Sequence, residues 1–347
     1  MSARQIRTIF SAIFLVFLAP SVYASDFSID TTDDFNQGEK SQVYVKDGEF
    51  SIGFYDDFDR ADVGSDWDTT GLDSATITSA KLVTEGPADS WNQWQTAAAL
   101  TDLQVSEDFD LRTHLEWVER ASDLCAIYVF FKDDTDYIVY AGHGDSWASF
   151  TGQFIAAVKD GSSWSGGQGT SPASGNTDIR ITRTGSTYRI YEGADLRLET
   201  AGTTNISTKL GLSNTRYTTY NGKTAKWSYV WLIGGFASGN WTSAIQTMPA
   251  GERMAQTTIY HSGLDATNHI DKIEWLVGGQ VKAAYETDIT NGAWTAVLPD
   301  MVTSGSFANV DADFQIKVYL VGDGSATPVV TKVEGETLPP GAIFTFF

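Results

Sequence analysis

The stretch FYDDFDRADVGSDWDTTG, from Phe54 to Gly71, holds five Asp between positions 56 and 66, two Gly, one Trp and no Lys. Two readings compete for it. A hard cation such as Ca2+ needs several oxygen ligands, commonly Asp carboxylates and backbone carbonyls. Asp56, Asp57, Asp59 and Asp62 are the candidate ligands, although their spacing is not that of an EF-hand. On the other reading the run is the entry into a β-fold. Phe54 and Phe58 start a strand, Gly64-Ser65 turns the chain, Trp67 plugs one end of a sandwich, and the Asp side chains cap turns.

The chain around this stretch favours the second reading. Of 347 residues, 42% are apolar, only 19% are charged and 13% are aromatic, with 32 Gly and 8 Pro. That composition is globular and fits β-structure with many turns. Residues 53–237 carry a dense series of strand signals. CAIYVFF (125–131) is apolar on both faces, as a central strand covered on both sides requires. DDTD (133–136) turns it into YIVYAG (137–142), and QFIAAVK (153–159) follows. A Gly/Ser-rich segment (160–176) reads as a loop before DIRITR (178–183) and TYRIYEG (187–193). Many short strands at regular spacing predict a sandwich or barrel.

The flanks divide the chain further. Arg4 and Arg7, the apolar run 9–20 and Val22-Tyr23-Ala24 read as a secretory signal over 1–24, which makes the protein secreted or cell-surface. Residues 25–52 read as an N-terminal hairpin segment turning at Lys46-Asp47-Gly48. Residues 238–251 read as a linker, 252–335 as a small β-sandwich and 336–347 as a hydrophobic tail. In the second unit, HIDKIEWLV and QVKAAYET flank Gly278-Gly279 as a two-residue hairpin. FQIKVYLV (314–321) alternates with Phe314, Ile316, Val318 and Leu320 inward. Pro339 and Pro340 sit inside the would-be terminal strand and argue against a membrane barrel. No membrane span is expected in the mature chain.

Three pieces together resemble the concanavalin A-like, or laminin-G-like, jelly-roll domains of secreted bacterial surface proteins. They are DDFDRADVGSDW (56–67), DIRITRTGSTYRIYEGADLRL (178–198), and LGLSN (210–214) with KWSYVWLIG (226–234). YLVGDGSATPVVTKV (319–333) resembles the small accessory β-sandwiches of such proteins. The resemblance implies an all-β fold, a jelly-roll sandwich followed by a second, smaller one. It also implies a structural Ca2+ near the opening stretch. It leaves function open among lectins, binding modules, hydrolases, lyases and spacers.

The chemistry expected from the residues is binding. The net charge is −21, or −23 once Arg4 and Arg7 leave with the signal, and repels nucleic acid. The single Cys125 cannot form an internal disulfide, and no zinc spacing, nucleophile elbow or phosphate loop occurs. Glu286-Thr-Asp288 lacks a third carboxylate, and Glu116 and Glu119 face opposite sides of one strand. The expectation is therefore a protein that is not an enzyme but a secreted, non-catalytic carbohydrate-binding or adhesion protein. Its ligand would be a polysaccharide or surface glycan stacked on Trp91, Trp94, Trp147 or Trp164, with His143 and Asp145 as polar partners. The alternatives are a structural subunit of a matrix, surface layer or filament, self-associating through 25–52 and 336–347, and a divergent polysaccharide hydrolase or lyase. For the last, Glu116, Glu119 and Glu192 are the first residues to test.

Overall fold

The computed structural model describes residues 25–87, 97–117, 125–133, 137–144, 153–170, 175–202, 206–216, 224–252, 254–262, 267–286, 312–324 and 328–338. The architecture is an all-β jelly-roll sandwich of antiparallel sheets. Its front sheet orders the strands Ser25–Ile29, Val329–Leu338, Glu49–Asp56, Thr224–Gly234, Phe109–Trp117, Gly175–Thr184, Thr187–Glu192 and Asp195–Ala201, with further strands branching from this path. Its back sheet orders Ser163–Thr170, Gln153–Asp160, Ile138–Gly144, Cys125–Lys132, Ile206–Arg216, Ala97–Val105 and Trp67–Asp68. A third sheet holds Glu39–Ser41, Ser238–Thr242, Gln315–Val321, His269–Val277 and Gln280–Glu286. Every assigned pairing is antiparallel, which lets one face of a sheet meet the core while the other meets water.

Alternation builds the core. Phe109, Leu111, Leu115 and Trp117 face inward from one front strand and meet Val129, Phe131, Val139 and Phe154 of the back sheet. Ile127 to Phe131 are buried on both faces of their strand, as its apolar run predicts. In the third sheet, Phe314, Ile316, Val318 and Leu320 are all buried, and Gly278-Gly279 turns the hairpin with φ of 55° and 76°. Both angles lie in the left-handed region that a two-residue hairpin turn needs.

The opening stretch is a structural knot. Asp56 ends its strand with a buried carboxylate. That carboxylate accepts a bidentate pair from Arg60 at 2.6 and 2.8 Å, the Trp67 Nε1–H at 2.7 Å and the Phe58 N–H at 2.8 Å. Trp67 is thereby fixed in the core beside Phe54 and Phe58.

Several expectations about organisation change. Ser238–Thr242, expected in a linker, is a strand between Glu39–Ser41 and Gln315–Val321, where Trp241 is wholly buried. Tryptophan burial and ladder pairing outweigh the turn residues of this segment. The Gly/Ser segment 160–176 contains the edge strand Ser163–Thr170, because its backbone finds a partner in Gln153–Asp160. Residues 25–52 add more than a hairpin: a short helix, Thr32–Asn36, is capped by Thr31 and packs Phe35 against Phe50 and Trp241. Ser25–Ile29 pairs with Val329–Leu338 of its own chain. That strand and Glu39–Ser41 each pair on one side and end their sheets, and the tail beyond 338 lies outside the described residues. The signal segment 1–24 also lies outside them. Among the described residues, no helix is long and apolar enough to cross a membrane.

The loop bearing Gly324 docks on the jelly-roll at Asp108. A Cβ on Gly324 would lie 2.0 Å from the Asp108 carbonyl oxygen, and its φ of +77° already demands glycine. Gly324→Ala is expected to destabilise the protein by about 1–3 kcal/mol through overpacking. Asp56→Ala leaves Arg60 and the Trp67 Nε1–H without their acceptor and is expected to cost about 3–5 kcal/mol. Equilibrium urea unfolding measures both, and unchanged midpoints would refute these roles.

Candidate functional site

The strand Phe109–Trp117 reads FDLRTHLEW, and its inward residues alternate with Asp110, Arg112, His114 and Glu116 on the outer face. Pairing extends that face sideways. Arg112 lies opposite Trp231 on one side and Arg180 on the other, Arg180 opposite Tyr191, and Trp231 opposite Tyr55. The result is a row of rings and cations across the front sheet. The Arg112 guanidinium lies 5.3 Å from the Trp231 ring, Arg180 5.4 Å from Tyr191, and the Lys46 Nζ 4.7 Å from Trp231. Asp110 ties the two arginines together, accepting from Arg180 Nε at 2.8 Å and Arg112 Nη2 at 2.7 Å. Burial alone would raise the Asp110 pKa, but the Arg180 and Arg112 hydrogen bonds outweigh it and hold the carboxyl below its ordinary value.

One level along the strand, His114 Nδ1 meets Asp178 Oδ1 at 2.7 Å across the ladder. Glu116 follows, bonded to Lys81 and, at 3.3 Å, to Lys226. The Lys81 hydrogen bond, with Lys226 in support, holds the Glu116 carboxyl below the ordinary Glu value, so it stays ionised. Asp178 sits opposite His114 and Asn176 opposite Glu116. Asp178 and Glu116 are therefore diagonal cross-strand neighbours, a backbone separation of about 7–8 Å. A register shift between Trp227 and Val230 marks a bulge that carries Tyr229. Bulges re-aim side chains next to functional sites. Burial pushes the Tyr229 phenol up, Asp178 adds to the shift, and Arg112 opposes it.

The residues expected to bind ligand are placed elsewhere. Trp164 stands on the edge strand of the back sheet, 49% exposed, with its ring 6.2 Å from Tyr140. His143 is buried between the sheets and stacks on Trp117 at 5.0 Å, so it serves the core rather than a rim. Trp91, Trp94, Trp147 and Asp145 lie outside the described residues, as does Glu119. The candidate metal ligands do not converge. Asp56 points inward to Arg60, while Asp57 and Asp62 accept from the Asp59 and Gly64 N–H groups of their own turns. Among the described residues, no group of three or more His, Cys, Asp or Glu could hold a metal ion. Glu192 is bonded to Arg197 at 2.9 Å, and burial raises its pKa. It lies opposite the inward-facing Ile179, away from Glu116.

No protein-family model matches the chain, and no curated protein matches it. Solved structures do. A β-1,3-glucanase from Mycobacterium marinum is similar at 10% identity and a TM-score of 0.39, over 52% of this chain and 97% of that one. An endo-β-1,3-glucanase from Pyrococcus furiosus is similar at 11% and 0.41, over 55% and 97%. A xylan β-1,4-xylosidase from Bacillus halodurans is similar at 14% and 0.39, over 51% and 38%. These neighbours overturn two expectations: that the chain is a non-catalytic carbohydrate-binding or adhesion protein, and that it is not an enzyme. The activities they are named for are glycoside hydrolyses. At these identities the likeness itself shows the fold alone.

The outer face carries a pH signature. Glu116 and Asp110 have folded pKa values below their unfolded ones, which lie at about 4.3 and 3.9. Their contribution to stability is present above those unfolded values and is lost as pH falls through the folded ones. Lys81→Gln with Lys226→Gln removes the cause at Glu116. The double variant is expected to lose less stability than the parent between about pH 6 and about pH 3. Parallel unfolding curves over that range would contradict the assignment.

Proposed function

We propose that the protein is a polysaccharide hydrolase working at the Glu116–His114–Asp178 cluster of the front sheet. The observation that carries the reading is the diagonal placement of Asp178 and Glu116 on one open face. An inverting glycosidase holds its two carboxyl groups roughly 6.5–9.5 Å apart, leaving room for a water, and two residues placed diagonally across a ladder can bring their carboxyl groups to such a separation. Glu116, kept ionised by Lys81, suits the base that takes a proton from the water. The Asp178–His114 hydrogen bond suits the acid side, delivering its proton to the leaving sugar oxygen as the glycosidic C–O bond breaks and the water oxygen bonds to the anomeric carbon. Trp231 and Tyr191 offer rings for the apolar faces of sugars, and Arg112 and Arg180 offer donors for their hydroxyls. Export through residues 1–24 completes the reading, since polymeric substrates lie outside the cell.

Reducing-sugar release from a panel of β-glucans, xylans and uronate-containing polymers tests it. Glu116→Gln and Asp178→Asn are each expected to lower the rate by about 10²–10⁴-fold, the usual worth of a positioned acid or base. Both side chains are on the outer face, and far-ultraviolet circular dichroism should be unchanged. Activity that survives both substitutions would refute the assignment.

A further inference from the structure

A groove of about 560 Å3 opens where the short helix Thr32–Asn36, the hairpin from Val43 to Asp56 and the Asp-rich loop meet. That volume falls within the roughly 300–1,000 Å3 of small-ligand sites. Its walls combine the rings of Tyr44 and Tyr55 with Lys40, Lys46, Asp57 and Asp66. Asp56 and Arg60 also line it but are bonded to each other, so they form wall rather than ligand contacts. Burial lowers the Lys40 pKa, against the opposing pull of Asp66, Asp56 and Asp57, and its Nζ lies 2.9 Å from Asn36 Oδ1. Burial pushes both tyrosines up to about 12, so their phenols stay protonated and can donate. Lys46 is bonded to Asp47, which also lines the groove, so Lys40 alone faces Asp57 and Asp66. One cation among carboxylates and phenols disfavours a phosphate and offers donors and acceptors for a hydroxyl-rich ligand.

The groove wall packs against the front face. Tyr44 and Tyr55 lie 5.7 and 6.1 Å from the Trp231 ring, edge-on, and Lys46 lies over the same ring. The row of rings on the sheet therefore ends in the groove wall. We propose that the groove is the terminal subsite of the saccharide face, holding one end of a neutral sugar chain with Lys40 and Asp66 bonding the hydroxyls of its last residues. The saccharide nature of the ligand rests on the hydrolase reading, while the site itself rests on the groove.

The experiment titrates the full chain with neutral gluco- and xylo-oligosaccharides by calorimetry and sizes the products from the matching polymers. Asp66→Asn, at an exposed position, and Lys40→Gln are each expected to weaken oligosaccharide binding by about tenfold. They are also expected to shift product lengths and to raise the KM for the matching polymer. If hydrolysis occurs but both groove variants keep parental affinity and product lengths, the groove proposal is overturned and the hydrolase reading stands. If no polymer is cleaved yet oligosaccharides bind with Lys40 and Asp66 dependence, the hydrolase reading falls and the groove proposal stands. If oligosaccharides fail to bind the folded parent, the groove proposal is overturned.

Discussion

A single buried carboxylate organises this molecule. Asp56 terminates the strand Glu49–Asp56, which pairs with Val43–Lys46, Thr224–Gly234 and Val329–Leu338. That strand is where the jelly-roll, the N-terminal segment and the C-terminal unit meet. A carboxylate with 7% residue exposure is costly unless donors surround it. The two Arg60 donors, the Trp67 indole and the Phe58 amide meet that cost. They also dictate where the chain goes next, since Trp67 must enter the core to reach Asp56. The Asp-rich stretch is therefore a folding device whose exposed members, Asp57 and Asp66, are left to face the groove.

The same strand links the core to the chemistry. Its residues Phe50 and Ile52 are wholly buried, while Tyr55 meets Trp231 on the outer face. Across the sheet, each core residue of Phe109–Trp117 fixes an outward neighbour: Leu111 and Leu115 bracket Arg112 and His114. Period-two geometry lets the packed core beneath decide which side chains face outward. Positioned acids and bases need rigid support, and loops supply less of it.

Local patterns were legible in the sequence because they depend on neighbours in the chain. The alternation of FQIKVYLV, the Gly278-Gly279 turn and the double-sided burial of CAIYVFF all depend on such neighbours. What depended on distant partners was not legible. Ser238–Thr242 looks like a linker until Gln315–Val321 lies beside it, and Ser163–Thr170 looks like a loop until Gln153–Asp160 does. His143 looks like a rim residue because Gly and Asp follow it, but its stacking partner Trp117 is 26 positions away. The candidate site follows the same rule. The alternation D-x-R-x-H-x-E in 110–116 places four polar side chains on one face and could have been found. That Asp178 stands diagonally from Glu116 is a matter of register, which no local pattern carries. The bulge that presents Tyr229 is equally invisible inside KWSYVWLIG.

The ion pairs of the outer face argue for function by their thermodynamic modesty. Exposed pairs such as Arg180–Asp110, at 44% and 18% side-chain exposure, contribute about 0–1 kcal/mol each. A fold with this core does not need them, and a chain with a net charge of −21 has no general surplus of cations to spend on one surface. Yet Lys46, Lys81, Arg112, Arg180 and Lys226 gather on this face. Three of them, Lys46, Arg112 and Arg180, lie over the rings of Trp231 and Tyr191. Each carboxylate they meet is kept ionised or oriented rather than buried. An arrangement that adds so little to stability, but places rings, donors and carboxylates together on one face, is the feature on which the proposed hydrolase reading draws.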